Sequence, residues 1–101
     1  MQLALLRVLF HRVVTLSHNW KLDVSAMHHV TPHKEWFSTF LVVGQDGIHG
    51  VGDIHLHFAN GSMLVLHDVH YVPDACRSMI SILQLTDHGC QVKLSIESYT
   101  I

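Results

Sequence analysis

The sequence predicts a mainly β fold, namely a small antiparallel β-barrel, complete or truncated, with one short helix. Its 101 residues allow a single domain, and the 49% of hydrophobic residues supply enough apolar surface for a core. Apolar and polar residues alternate from Ile54 to Phe58, which is the period of a half-buried strand. Asn60–Gly61 follows and predicts a two-residue hairpin turn.

Residues 1–18 are predicted to form an N-terminal arm, and residues 19–101 the β-barrel domain. Apolar residues of the arm recur at helical spacing, whereas its valines favour a strand, so both interpretations stay open. Arg7 and Arg12 interrupt the apolar run, which is shorter than the roughly 20 residues of a membrane-spanning helix. Without a convincing signal peptide or transmembrane segment, we expect a cytoplasmic protein that has no membrane partner.

The central part of the chain predicts three strands. Phe40–Val43 is a short apolar strand, and the glycines between residues 44 and 52 predict turns. This glycine-rich segment lacks the Gly-Lys-Ser/Thr ending of a phosphate-binding loop. The main hairpin continues after its turn with a strand that begins at Met63 and ends before Pro73.

The C-terminal part predicts a helix and a last strand. Ser78–Leu85 has the apolar pattern of a short helix, with Ser78 as its N-cap and His88–Gly89 as its stop. Apolar and polar residues then alternate from Val92 to Ile96, which favours a strand.

Charge and cysteine content exclude several classes of function. With a formal charge of −2, the chain is not predicted to have the basic surface that nucleic-acid binding requires. Eleven histidines outnumber the six Lys and Arg, so their protonation below about pH 6 would make the chain basic. Cys76 and Cys90 have no zinc-ligand spacing and are predicted to be free, packed thiols, with one disulfide between them as the alternative. No metal or other cofactor is predicted.

Two segments carry a family resemblance. NWKLDVSAMHHVTPHKEWFSTF (residues 19–40) resembles the W-x-L-D-S-G-A-S-x-H-x-T-P segment in the protease region of copia-type LTR-retrotransposon Pol polyproteins. VGDIHLHFANGSMLVLHDVHYVPDACRSMISILQLTDHGC (residues 51–90) is similar to the family's G-I-G hairpin, its L-x-D-V-x-Y-V-P segment and its L-I-S helix. Together these motifs cover most of residues 19–99. They imply a retropepsin-like β-barrel, in agreement with the β pattern.

The resemblance also implies the chemistry of an aspartic endopeptidase, in which each subunit contributes one Asp. Asp23 matches the catalytic position, and it would pair with its symmetry mate in a homodimer that acts on a Gag-Pol polyprotein peptide. From the residues alone, a turn or cap aspartate is the simpler interpretation of Asp23.

Three departures from the family pattern predict a degenerate domain with little or no peptidase activity. Val24 replaces the Ser or Thr whose hydroxyl holds the two catalytic loops together, and Ser25 replaces a glycine that permits a tight turn. The segment between Phe40 and Val51 is predicted to be too short for both strands of the flap, the hairpin that covers the substrate. Leu83 stands where the family often has a small residue.

The histidines are predicted to have solvated or packing roles. Those of the first matched segment are His28, His29 and His33. His55 and His57 share one face of a strand, a spacing that metal-binding barrels use, and His67 and His70 lie on the next strand. A loose cluster of three histidines from this set leaves open a second alternative to the degenerate protease, a non-enzymatic module that binds a metal or a partner. The first alternative is the active homodimeric endopeptidase.

Overall fold

Strands account for most of the regular structure, which confirms the prediction of a mainly β fold with one short α-helix. The computed structural model describes residues 14–15, 20–87, 93–94 and 99–100. Its strands are β1 (Val14–Thr15), β2 (Trp20–Asp23), β3 (Val30–Thr31), β4 (Thr39–Gln45), β5 (Ile48–His57), β6 (Met63–Tyr71), β7 (Ser78–Ser81), β8 (Lys93–Leu94) and β9 (Tyr99–Thr100). A 3₁₀ helix spans Lys34–Trp36, and the α-helix, α1, spans Ile82–Asp87.

Seven strands form one mixed sheet in the order β1-β5-β6-β3-β7-β2, with β4 paired on β5. The pairs β4–β5, β5–β6 and β3–β7 are antiparallel, and of these β5–β6 is the predicted hairpin. The pairs β1–β5, β2–β7 and β3–β6 are parallel and join segments that are distant in the sequence. A separate antiparallel pair is formed by β8 and β9. Parallel pairs need long connections, so local turn signals do not reveal them.

The core lies on one face of the β5–β6 hairpin. Ile54 and Leu56 of β5 and Leu66 and Val69 of β6 are fully buried. Alternation directs Ile54 and Leu56 to the same side, and a bulge between Leu66 and Val69 brings these two residues, three apart in sequence, to that side as well. The other buried apolar side chains, which surround these four, are Trp20, Trp36, Phe37, Phe40, Ile80 and Leu85. The predicted alternation at residues 54–58 is therefore the pattern that positions the core.

The two-residue hairpin turn lies at Asp46–Gly47 rather than at the predicted Asn60–Gly61. Asp46 and Gly47 both have positive φ (53° and 81°), and they join Gln45 to its partner Ile48 in a two-residue turn. The prediction of a two-residue turn at Asn60 and Gly61 is wrong, since the loop spans residues 58–62 and only Gly61 has positive φ. The Asn60 side chain instead accepts hydrogen bonds from Ser62, which stabilise the longer loop.

Of residues 44–52, Asp46 and Gly47 form the turn, and the prediction of turns is wrong for the others, because residues 44–45 end β4 and residues 48–52 begin β5. The prediction that this segment is too short for both strands is also wrong. Because the two-residue turn uses so few residues, both β4 and β5 fit in this segment. Gly50 and Gly52 lie inside β5 and are buried. A Cβ at Gly50 would overlap the Phe40 ring, and one at Gly52 would overlap the Thr39 carbonyl oxygen. Glycine is needed here for the close approach of β4 to β5.

The predicted helix begins four residues later than expected. Ser78–Ser81 is not helical, because it pairs in parallel with Trp20–Asp23 of β2. The N-cap is Ser81 rather than Ser78, since the Ser81 Oγ accepts a hydrogen bond from the Gln84 N–H at 3.1 Å. The predicted stop at His88–Gly89 lies outside the described residues.

Two further predictions fall largely outside the described residues. Of the N-terminal arm, Val14–Thr15 is described and pairs with Leu56–His57 as a strand. Of the predicted strand at residues 92–96, Lys93–Leu94 is described as β8. The boundary between residues 18 and 19 stays a prediction. No helix in the described ranges is long and apolar enough to cross a membrane.

Candidate functional site

Asp23 is the last residue of β2, and it lies beside Ser81 in the parallel pair with β7. Its Oδ1 accepts two hydrogen bonds from Ser25, one from the backbone N–H at 2.8 Å and one from the hydroxyl at 2.7 Å. The Ser25 hydroxyl, followed by the Ser25 N–H, lowers the pKa of Asp23 below its usual 3.8. Desolvation opposes this shift, and the backbone of Ala26 and then the charge of Lys21 lower the pKa further.

The loop after Asp23 is free of the strain that was expected at Ser25. Apart from glycine, Asp46 and Asp68 are the residues with positive φ in the described ranges, so the Ser25 Cβ meets no left-handed conformation. Val24 is 70% exposed and has no hydroxyl to donate. The loop therefore tolerates Val24 and Ser25, but it does so by holding the Asp23 carboxylate with its own serine.

The same hydrogen-bond arrangement occurs in an unrelated loop. Oδ1 of Asn60 accepts from the Ser62 N–H at 2.9 Å and from the Ser62 hydroxyl at 2.6 Å, which repeats the geometry of Asp23 and Ser25. Both are Asx turns with a serine two residues on, a common way to turn a chain. The interpretation of Asp23 as a turn aspartate thus describes its local geometry correctly.

Behind the Asp23 loop lies a set of buried, hydrogen-bonded polar residues that we call the buried polar cluster: His29, Thr31, Ser78 and Ser81. The Ser81 N–H donates to His29 Nδ1 at 2.9 Å, and the Thr31 and Ser78 hydroxyls are 2.8 Å apart. Burial of these groups is tolerated because each polar atom named here has a partner. The cluster joins the segment after Asp23 to β7.

Sequence reasoning missed this cluster. His29 was assigned a packing or solvated role, which agrees with its burial but not with its specific bond to Ser81. Ser78 and Ser81 are predicted to lie on a helix, which could not pair with β2 and β3 as β7 does. The segment from Ser78 to Ser81 did contain a signal for a strand. Small polar residues beside apolar ones also suit a buried strand whose serine side chains form hydrogen bonds.

Two other histidines of the matched segment have packing roles, as predicted. His28 stacks on His70 with ring centroids 4.3 Å apart. Burial, and then the charge of His28, lower the pKa of His70, while Asp68 opposes this shift. His33 stacks on Trp36 at 4.1 Å, and its Nδ1 lies 3.3 Å from Glu35 Oε2.

On the β5–β6 hairpin, His55, His57 and His67 lie opposite the buried residues, and we call this surface the histidine face. His55 and His57 face Val65 and Met63 across the strands rather than further histidines. His67 Nδ1 is 3.2 Å from Asp53 Oδ1. In the described part of the chain, no three His, Cys, Asp or Glu side chains are placed to hold a metal ion.

The cysteines were predicted to be free and packed. Cys76 is indeed a free thiol, but it is exposed rather than packed, and Cys90 lies outside the described residues.

Comparisons with known proteins agree with this β architecture. The family described as "Pol polyprotein, beta-barrel domain" matches residues 20–90, which contain β2 to β7 and α1. The retrovirus-related Pol polyprotein from transposon TNT 1-94 of Nicotiana tabacum is 36% identical over 81 aligned residues. That alignment covers 69% of this chain but 6% of the tobacco polyprotein. No solved structure matches the chain. The chain belongs to the family of Pol polyprotein β-barrel domains.

Proposed function

We propose that the chain is a copia-type, aspartic-protease-like domain of a retrotransposon Pol polyprotein, degenerate and with little or no peptidase activity. Family membership and the resemblance around Asp23 support the protease-like origin. The observation that carries the degeneracy is the Asx turn, in which Ser25 donates both its N–H and its hydroxyl to the Asp23 carboxylate.

The chemistry of an aspartic protease makes this arrangement unfavourable. Two carboxylates share one proton, so that one acts as a base on water while the other acts as an acid. Hydrogen bonds to Asp23 favour its ionised form, as its lowered pKa indicates, and therefore oppose retention of the shared proton. Val24 supplies no hydroxyl to hold a second catalytic loop, and a misplacement on the order of 1 Å already reduces catalysis.

The proposal is tested by a peptidase assay on the purified full chain. Peptides that span the junctions of a retrotransposon polyprotein are incubated with the chain from about pH 4 to about pH 7. We expect no cleavage above that of an Asp23→Asn control. Cleavage that is lost in this control would contradict the degenerate assignment.

A revertant sharpens the test. Val24→Ser combined with Ser25→Gly recreates the family's D-S-G loop, so it should gain Asp23-dependent cleavage if the loop is the main defect. Circular dichroism of each variant establishes that the β fold is retained. If the revertant stays inactive while folded, the defect lies elsewhere in the domain.

The second candidate function is an active homodimeric aspartic endopeptidase that processes a Gag-Pol polyprotein. The observation that favours it is the exposure of Val24 and Met27, at 70% and 66%, in the loop that carries Asp23. A subunit contact beside the two carboxylates would cover these apolar side chains. Sedimentation velocity distinguishes the candidates, because an active enzyme requires a dimer whose specific activity rises with concentration. A monomer at high concentration would rule this candidate out.

A further inference from the structure

The imidazole of His29 is 2% exposed and lies between the Asp23 loop and β7. Its Nδ1 accepts the Ser81 N–H at 2.9 Å, and its backbone carbonyl accepts the His70 N–H at 2.8 Å. A ring nitrogen that accepts a hydrogen bond from an N–H carries no proton of its own. His29 is therefore in its neutral form with the proton on Nε2.

Ser81 connects this imidazole to the Asp23 loop. The Ser81 hydroxyl donates to the Ala26 carbonyl at 2.7 Å and accepts from the Gln84 N–H at 3.1 Å. Gln84 in turn donates from Nε2 to the Met27 carbonyl at 3.0 Å. Because the loop is held through its carbonyl groups by these two residues, its path depends on the position of Ser81.

Protonation of His29 would break the first of these contacts. A proton on Nδ1 would face the Ser81 N–H, so two donors would oppose each other in a buried position. No ionisable side chain lies on β7 to compensate for the new charge.

The ionisable groups of the elements packed around His29 lie on the loop, β2, β6 and α1. Those of the loop and β2 are Lys21, Asp23 and His28, those of β6 are His67, Asp68, His70 and Tyr71, and that of α1 is Asp87. The Asp23 carboxylate is held by Ser25, and the pKa of His70 is lowered by its burial and by His28. A positive charge on the buried imidazole of His29 is thus disfavoured.

We propose that His29, acting through Ser81, is a positioning residue that holds the Asp23 loop only while its imidazole is neutral, so that acidification releases the loop from β7 and α1. The inference rests on the proposed function in that it assigns the Asp23 loop as the site. Proton uptake accompanies release, so the closed loop loses stability as the pH falls through about 6.5, where accessible imidazoles become protonated.

Amide hydrogen exchange of the full chain tests the proposal without any peptidase assay. Protection of the Ser81 amide is measured at about pH 7.5 and about pH 5.5 and is corrected for the intrinsic exchange rate. We expect protection to fall about tenfold in the native sequence, because one proton is taken up on release. In His29→Asn, whose Oδ1 replaces Nδ1 as the acceptor, protection should not change with pH.

His33→Gln is the matched control, since it removes a half-buried histidine that stacks on Trp36 outside the cluster. It should keep the pH dependence of the native sequence. An equal fall of protection in the native sequence and in His29→Asn would overturn the proposal, as would constant protection in the native sequence.

A measurement on the native sequence covers the case in which His29→Asn fails to fold. Imidazole ¹⁵N shifts report the tautomer directly, and His29 should be in its neutral Nε2–H form at about pH 7.5. A charged His29 in a protein whose Ser81 amide stays protected would overturn the proposal. Asp23-dependent cleavage would instead contradict the proposed function and leave these measurements unaffected.

Discussion

The buried polar cluster and the histidine face use the same residue type in opposite ways. In the cluster, His29 is fixed in one tautomer by the Ser81 N–H of β7. On the histidine face, His67 is 53% exposed and meets Asp53 close to solvent. The comparison indicates that burial and partners, rather than the number of histidines, decide where this residue has a specific role. The predictions below test that difference.

The largest expected effect concerns the backbone beneath the histidine face rather than its side chains. Gly52→Ala places a Cβ against the Thr39 carbonyl oxygen, a backbone atom that cannot move without shifting β4. We expect a loss of about 3 kcal/mol in the free energy of unfolding, measured by urea denaturation. Gly44→Ala is the matched control, because a Cβ there has no neighbour within 4 Å, and it should cost nothing. Equal stability of the two variants would contradict the close approach of β4 and β5.

The next effect lies in the buried polar cluster. Thr31→Val removes the partner of the buried Ser78 hydroxyl and the acceptor of the His33 N–H, so we expect a loss of about 1–3 kcal/mol. The same substitution at the exposed Thr86 of α1 should change stability by less than about 0.5 kcal/mol. Thermal and urea unfolding of both variants provide the measurement.

A double variant isolates the reason for that loss. Adding Ser78→Ala to Thr31→Val removes the unsatisfied hydroxyl, so part of the lost stability should return. Additive losses in the two single variants would mean that the two hydroxyls do not interact.

A third prediction concerns the titration of Asp23 at the edge of the cluster. Ser25→Ala removes the hydroxyl that contributes most to the lowered pKa, so the pKa of Asp23 should rise towards 3.8. Because a depressed carboxyl pKa contributes stability that is lost as the pH falls through it, the variant should differ from the native sequence mainly under acidic conditions. Ser62→Ala, in the equivalent turn at Asn60, should leave this pKa unchanged. NMR titration of the Asp23 carboxyl carbon provides the measurement.

Local patterns in the sequence predicted the parts of the fold that depend on near neighbours. The alternation at residues 54–58 identified β5 and its buried face, because period-2 patterning acts within a single strand. The sequence predicted a two-residue hairpin turn but assigned it to the wrong residues. Asp46–Gly47 adopts the two-residue turn, whereas Asn60–Gly61 does not, since hydrogen bonds from Ser62 favour a longer loop.

Contacts between distant segments were not predictable. Ser78–Ser81 has an apolar pattern that suits a helix or a strand, and only its pairing with β2 selects the strand. At the candidate site, Asp23 was identified by resemblance, but His29 and Ser81 were missed because they are 52 residues apart in the sequence. The residues that neighbour a histidine in the sequence indicate whether it packs or is solvated. They do not reveal a hydrogen-bond partner in a distant segment.

The smallest effect on stability is expected on the histidine face. Its dependence on pH has the opposite sign to that of the buried polar cluster. His67 and Asp53 attract each other only when the imidazole is protonated, so their contribution grows on acidification, whereas the His29 contact weakens. Because His67 is more than half exposed, a double-mutant cycle with His67→Gln and Asp53→Asn should give a coupling of about 0.5 kcal/mol or less at acidic pH. Salt at about 1 M should abolish it by screening. A coupling above about 2 kcal/mol that resists salt would mean that the histidine face is held as rigidly as the buried polar cluster, and that exposure does not separate the two kinds of histidine.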